Sequence, residues 1–288
     1  MLASRSEYLT INSINYHVRI WGESNQPTFL LLHGWMDLSA SFQFLIDALK
    51  NRWRVIAPDL RGFGLSAWVG GAYYFPDYFA DLDGLLEHYS PDAPVNLIGH
   101  SMGGNIAGLY AGIRPQRVAQ LALLEGFGLK PTDPASAPER FAKWLDQLKA
   151  PPGFKGYENI DEFARRLRQN NPRLTTERAQ FIAAQSCKET TPGKFELISD
   201  PSHKLTNPVL YRIEEAKACW QRITAPCLWI TGANSEFMRM QVANPEDYAA
   251  RKTCFKDLRE TIIPDCGHMM HWDQPDMLAA SIEEFFRP

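Results

Sequence analysis

The sequence predicts an α/β fold: a mostly parallel, doubly wound sheet of eight strands, with a helical insertion after the sixth. Three observations predict it. Short apolar runs alternate with helix-spaced segments as far as Glu125. The same alternation resumes near Gln221 and continues to the C-terminus. Between them, Gly126 to Trp220 is polar, proline-bearing and helix-forming, with no apolar strand run. Buried strands alternating with helices imply βαβ units in a parallel sheet.

Taken in order, "YLTINSINYHVRIW" (Tyr8 to Trp21) reads as two strands joined at Asn12-Ser13, a hairpin. "TFLLLHG" (Thr28 to Gly34) is a nearly unbroken apolar run, as expected of a strand buried on both faces. In "SASFQFLIDALK" the residues Phe42, Leu45, Ile46 and Leu49 keep helical spacing. There follow "WRVIAPDL" as strand, "YFADLDGLLEHY" as helix, "VNLIGHS" as strand, "GGNIAGLYAGI" as helix and "VAQLALLEG" as strand. Within the insertion, "PERFAKWLDQLKA", "IDEFARRLRQN" and "TTERAQFIAAQ" are helix candidates. Their apolar residues Phe141, Trp144, Leu145, Phe163 and Leu167 mark a folded subdomain rather than a linker. "APCLWITG" and "LRETIIPDCGH" supply the last strands, and the amphipathic "DMLAASIEEFF" closes the chain. The division is a core of residues 1–125 and 221–288 around a helical insertion, 126–220.

Composition narrows the function classes. With 288 residues, 45% hydrophobic and 22% charged, the chain can bury a substantial core. A net charge of −3 without a long basic or acidic run points away from nucleic acid and anionic membranes. The N-terminus has no apolar run of signal-peptide length, and no stretch approaches a spanning helix. Five scattered cysteines, with no CxxC pair, fit a reducing compartment and suggest no metal site. A cytoplasmic protein acting on a small molecule, as monomer or homodimer and without cofactor, is expected.

The chemistry concentrates in three places. Gly99-His100-Ser101-Met102-Gly103 fits G-x-S-x-G between a buried strand and a glycine-rich helix. A turn that tight lifts a serine hydroxyl above the sheet and leaves no room for side chains at Gly99 and Gly103. A junction packed with small residues would also be glycine-rich, but it would not need the serine. The Met102 amide, at a helix N-terminus, points to where an oxyanion would form. The turn at His33-Gly34 offers the Trp35 amide as second donor, with His33 itself in a capping or hydrogen-bonding role. "PDCGHMMHW" offers His268 and His271 as base. His268, following Gly267 directly after the last strand, is the better placed. Asp265 and Asp273 read as turn and helix-cap residues. Trp35, Met102, Trp144 and Met269 are candidates for an apolar substrate pocket, and Trp272 fits pocket or core equally. Asp59 and Arg61 brace the "RGFG" turn.

The order of the "HG" turn, "DLRGFGLS", "GHSMGG" and the late "GH" resembles the α/β-hydrolases over nearly the whole chain. "LLEGFG" and "LTNPVLYRIEEA" look most like the serine-hydrolase-like branch, close to dehalogenase-type members. In that family the insertion is a cap. Ser101 departs from dehalogenases and epoxide hydrolases of this fold, which carry aspartate there. The resemblance therefore implies ester-type serine chemistry through an acyl-enzyme on Ser101. Thioester, lactone or carbon–carbon hydrolysis could use the same residues. The family usually places its acid where this chain has Ser235, a residue that cannot serve. Glu236 is one place further on. Glu125, ending "LALLE", stands where some cap-bearing members carry the acid, and a carboxylate ending a buried run asks for a partner such as His268. Glu125 is preferred and Glu236 is the alternative. The displaced acid is also the one feature favouring a non-catalytic binding protein.

Overall fold

The structure, a computed structural model, describes residues 1–241 and 244–287. The N-terminal half contains β1 (Arg5–Ile11), β2 (Ile14–Trp21), β3 (Thr28–Leu32), α1 (Gln43–Ala48), β4 (Arg54–Pro58), α2 (Phe75–Tyr89), β5 (Val95–His100), α3 (Met102–Ile113) and β6 (Val118–Leu124). The insertion contributes α4 (Ala137–Lys149), α5 (Ile160–Asn170), α6 (Thr176–Ser186), β7 (Cys187–Thr191), β8 (Lys194–Leu197) and α7 (Ile213–Trp220). The chain ends with β9 (Cys227–Gly232), α8 (Glu236–Gln241), α9 (Pro245–Lys252), β10 (Leu258–Ile263), α10 (Met270–Asp273) and α11 (Pro275–Phe285).

Eight strands form one sheet in the order β1-β2-β4-β3-β5-β6-β9-β10. All pairings from β4 onward are parallel, and β2 runs antiparallel to both β1 and β4. The hairpin turns at Asn12 and Ser13, whose φ values of 48° and 66° suit a two-residue turn between paired Ile11 and Ile14. Alternate residues serve opposite faces. Leu30, Leu32, Leu97 and Leu123 pack with Leu82 and Leu85 of α2, Ile106 and Tyr110 of α3, and Trp220 of α7. Leu31, Ile98 and Leu124 face Leu45 of α1 and Leu278 and Ile282 of α11. Each such side chain contributes about 1.5–3 kcal/mol of burial before entropy is counted.

The insertion differs from an all-helical segment. β7 and β8 pair as an antiparallel hairpin around Gly193, at φ +74°. Their sequences, "CKETT" and "KFEL", are too polar to announce strands, and β7 is exposed beyond Cys187. Phe163 of α5, Ile182 of α6 and Leu174 between the two helices pack in one cluster with Trp272 of α10. Tyr157 joins that cluster, its ring 4.9 Å from Phe163. The helical face of α4 is not packed in the same way: Phe141 and Leu145 are 47% and 50% exposed. α7 lies with the core, along α3, where a Cβ at Gly112 would come within 1.9 Å of the Cys219 carbonyl oxygen.

The loop after β4 is braced as its composition suggested. Asp59 accepts hydrogen bonds from the Ser39 and Leu65 amides at 2.7 and 2.9 Å, and its carboxylate lies 2.8 Å from His17 Nδ1. Arg61 is paired with Asp81, Nη2 to Oδ1 at 2.7 Å, and both are buried. The Tyr16 hydroxyl also donates to Asp81. His33 Nε2 accepts from the Leu60 amide at 2.8 Å while Nδ1 donates to the Gly34 carbonyl. His203 is sandwiched between Phe63 and Tyr73, centroids 3.8 and 3.7 Å away.

Asp81→Ala leaves the buried Arg61 guanidinium with only the exposed Asp77 carboxylate, 3.5 Å away, and chemical denaturation is expected to show a loss of about 3 kcal/mol. Burial holds His33 and His100 below the ordinary histidine range and pushes His203 down from 6.5 to about 4. The unfolded chain therefore binds protons near pH 6.5 that the folded chain refuses, so stability is retained above that value and lost as pH falls toward about 4. A denaturation midpoint that rises on acidification through this window would contradict the assignment.

Candidate active site

Parallel register puts the C-terminal ends of β5, β6 and β9 side by side, and residues leaving those ends meet there. Ser101 follows β5 directly. Its φ of 52° lies in the left-handed region, and its amide donates to the Leu124 carbonyl at 2.8 Å. This conformation costs roughly 1–3 kcal/mol for a residue with a Cβ. Neighbouring glycines make the turn possible. A Cβ at Gly99 would lie 2.3 Å from the Gly103 carbonyl oxygen, and one at Gly103 would lie 2.3 Å from that of Leu32.

Ser101 Oγ is 3.0 Å from His268 Nε2. His268 Nδ1 is 2.6 Å from Glu125 Oε2, and Glu125 is fully buried immediately after β6. With the Nδ1 proton directed at the carboxylate, Nε2 is left to accept from the serine hydroxyl. Glu125 has two further donors: the Gly232 amide to Oε1 at 2.8 Å and the Ser235 hydroxyl to Oε2 at 2.7 Å. Ser235 Oγ in turn accepts from the Met238 amide at 3.2 Å.

The structure thus separates the two acid candidates. Glu125 reaches His268; Glu236 does not, because it starts α8 with its side chain exposed to solvent. Ser235, one residue before it, points inward to hold Glu125. His271 is also set apart: it is buried, with Nε2 at 3.3 Å from both Asp37 Oδ2 and Ser41 Oγ. Asp273 Oδ2 accepts from the Gly267 amide at 2.8 Å and Oδ1 from Asn171 Nδ2 at 2.6 Å, so it ties the histidine turn to the insertion.

The turn expected to supply a second oxyanion donor lies against the serine: a Cβ at Gly34 would sit 3.2 Å from Ser101 Cβ. Trp35, Met102 and Trp144 line a cavity of about 520 Å³ that also contains Ser101 and His268. Met269 does not line it. With His268 turned toward Ser101, the next side chain is turned away, and Met269 packs beneath the insertion in the cluster of Phe163 and Trp272. Trp272 belongs to that same core. Sequence reasoning missed Phe237, whose ring centre is 4.3 Å from that of His268. It also missed His100, whose Nε2 donates to the His268 carbonyl at 2.8 Å. A histidine inside the G-x-S-x-G string was the available signal.

Asp37, His100 and His271 bring ligand-type atoms within 4.8 Å of one another. All three side chains already serve as hydrogen-bond partners, His100 to the His268 carbonyl and His271 and Asp37 to each other.

Residues 27–275 match the alpha/beta hydrolase fold family. A serine hydrolase-like protein of Danio rerio is 28% identical over 287 residues, covering 94% of this chain and 84% of that protein. The 3-hydroxybutyrate-oligomer hydrolase of Cupriavidus necator is 28% identical over 288 residues, covering 96% and 93%. Among solved structures, the thioesterase domain from the curacin biosynthetic pathway superposes with a TM-score of 0.86 at 24% identity, covering 98% of this chain and 99% of that one, a likeness of fold. The chain belongs to the α/β-hydrolase fold family, and within it is similar to the serine-hydrolase-like proteins.

Proposed function

We propose that the protein is a serine hydrolase of small-to-medium carboxylic esters, working through an acyl-enzyme on Ser101. The observation that carries this reading is the unbroken hydrogen-bond chain from Ser101 Oγ through both ring nitrogens of His268 to Glu125. His268 Nε2 takes the hydroxyl proton as Oγ attacks the carbonyl, and the imidazolium that forms is stabilised by the Glu125 carboxylate. The Met102 amide opens α3, where helix donors have no intrahelical acceptor, and with the Trp35 amide it stabilises the tetrahedral oxyanion. His268 then returns the proton to the departing alcohol. Water enters by the same general-base route and releases the acid.

Serine at the family's usual acid position favoured a non-catalytic protein. The catalytic reading is supported instead by Glu125, which supplies a buried carboxylate at His268 Nδ1 and uses Ser235 as a donor.

Steady-state hydrolysis of a neutral ester tests the roles. Ser101→Ala is expected to lower kcat by about 10³-fold or more. Glu125→Gln is expected to lower it on the order of 10³-fold, because the amide cannot stabilise the imidazolium. Glu236→Gln should stay within about twofold of wild type, as expected of a surface residue. If Glu236→Gln proved the damaging change and Glu125→Gln the silent one, the assignment of the acid would be wrong. Ser235→Ala removes one hydrogen bond to a charged acceptor, and about a tenfold fall in kcat is expected.

A further inference from the structure

The cavity over Ser101 and His268 has one feature that the hydrolase reading does not require. Among the described residues that line it, none is Asp, Glu, Lys or Arg. Much of its wall is aromatic, with Trp35 on the turn after β3, Tyr73, Tyr74 and Phe75 at the start of α2, Trp144 of α4 and Phe237 beside His268, and the polar groups beside them, such as Asn105 and Asn207, are uncharged. Two titratable groups on the wall, Tyr73 and His203, are held in their neutral forms at physiological pH. Burial and the neighbouring Asp200 hold the Tyr73 hydroxyl far above its ordinary value, and burial holds His203 at about 4. Asp200 itself lies behind the wall, accepting the Tyr73 hydroxyl at 2.7 Å and the Ser202 amide at 2.8 Å.

Two consequences follow from this lining. A carboxylate brought into the cavity gives up part of its hydration and meets no cationic side chain on the wall, which is unfavourable. A planar ring meets ring faces and edges on several sides, contacts that favour it over an aliphatic group of the same size. A volume of about 520 Å³ is suited to a group of this kind with the scissile carbonyl. Resting on the serine-hydrolase reading, we propose that the substrate is an uncharged ester carrying an aromatic ring in this cavity, and that esters with a charged group there are rejected.

Wild-type kcat/KM for four ethyl esters tests this: ethyl 3-phenylpropanoate, ethyl 3-cyclohexylpropanoate, diethyl adipate and monoethyl adipate. The phenyl ester is expected to exceed the cyclohexyl ester by about 3–10-fold, the range that aromatic pairing supports. Diethyl adipate is expected to exceed its carboxylate-bearing monoester by about 100-fold or more. A cyclohexyl ester equal to or better than the phenyl one, or a monoester within about fivefold of the diester, overturns the proposal. As a second reading, Asn207→Lys places a cation on the cavity wall and should raise the monoester-to-diester ratio about tenfold.

If none of the four is hydrolysed, the corresponding amides are tested for protection of Ser101 from a fluorophosphonate probe. Protection by 3-phenylpropanamide and none by the carboxylate-bearing amide supports the proposal. Labelling with equal protection by both overturns the substrate class alone, and absence of labelling on folded protein overturns the hydrolase reading beneath it.

Discussion

Glu125 presents its carboxylate at the C-terminal edge of the sheet with no exposure to solvent. An ionised group in that position would cost several kcal/mol if left unpaired. It is answered from three parts of the chain: the Gly232 amide at the end of β9, the Ser235 hydroxyl before α8 and His268 Nδ1 beyond β10. Each partner offsets part of that cost. The rest of the site inherits that requirement. His268 is aimed at Ser101 because its other nitrogen is held by Glu125, and its backbone is held by His100. The turn that carries it is pinned through Gly267 to Asp273, which also binds Asn171 of the insertion.

Backbone conformation shows the same concentration of constraint. Ser101 and Glu125, the residues that leave β5 and β6, both have φ near 52°. Their amides are taken by the neighbouring strands, Ser101 by Leu124 and Glu125 by Ile230. Interstrand hydrogen bonds therefore hold two unfavourable conformations at once, and the side chains project from the sheet toward each other through His268. Close backbone contact supports this: a Cβ at Gly126 would stand 2.5 Å from Gly104 Cα, where α3 begins. Strain at the two catalytic candidates is thus offset by the packing of the central strands, whose leucines and isoleucines are almost fully buried.

The sheet and the serine turn were legible because their signals are local. Apolar runs such as "TFLLLHG" and "VNLIGHS" declare buried strands, and Gly99 to Gly103 contains within five residues the steric reason for its own turn. His268 was legible from its place after the last strand. The acid was not decided by local pattern, since Glu125 and His268 are 143 residues apart and meet through strand order. Ser235 was legible as a departure from the expected aspartate but not as a donor to Glu125. Met269 was misplaced because proximity in sequence to His268 says nothing of which way the next side chain turns. The β7–β8 hairpin carries little sequence signal because β7 is polar and exposed beyond Cys187, while β8 buries only part of Phe195 and Leu197.

The central claim is that the fold activates the hydroxyl of Ser101 specifically. The most direct measurement is intact-mass and peptide mapping of the wild-type protein after exposure to a fluorophosphonate probe, beside Ser101→Ala. One adduct on wild type, mapped to Ser101 and missing from the variant, is the predicted result. Folded wild-type protein that takes up no probe, or an adduct that persists in Ser101→Ala, would contradict the account.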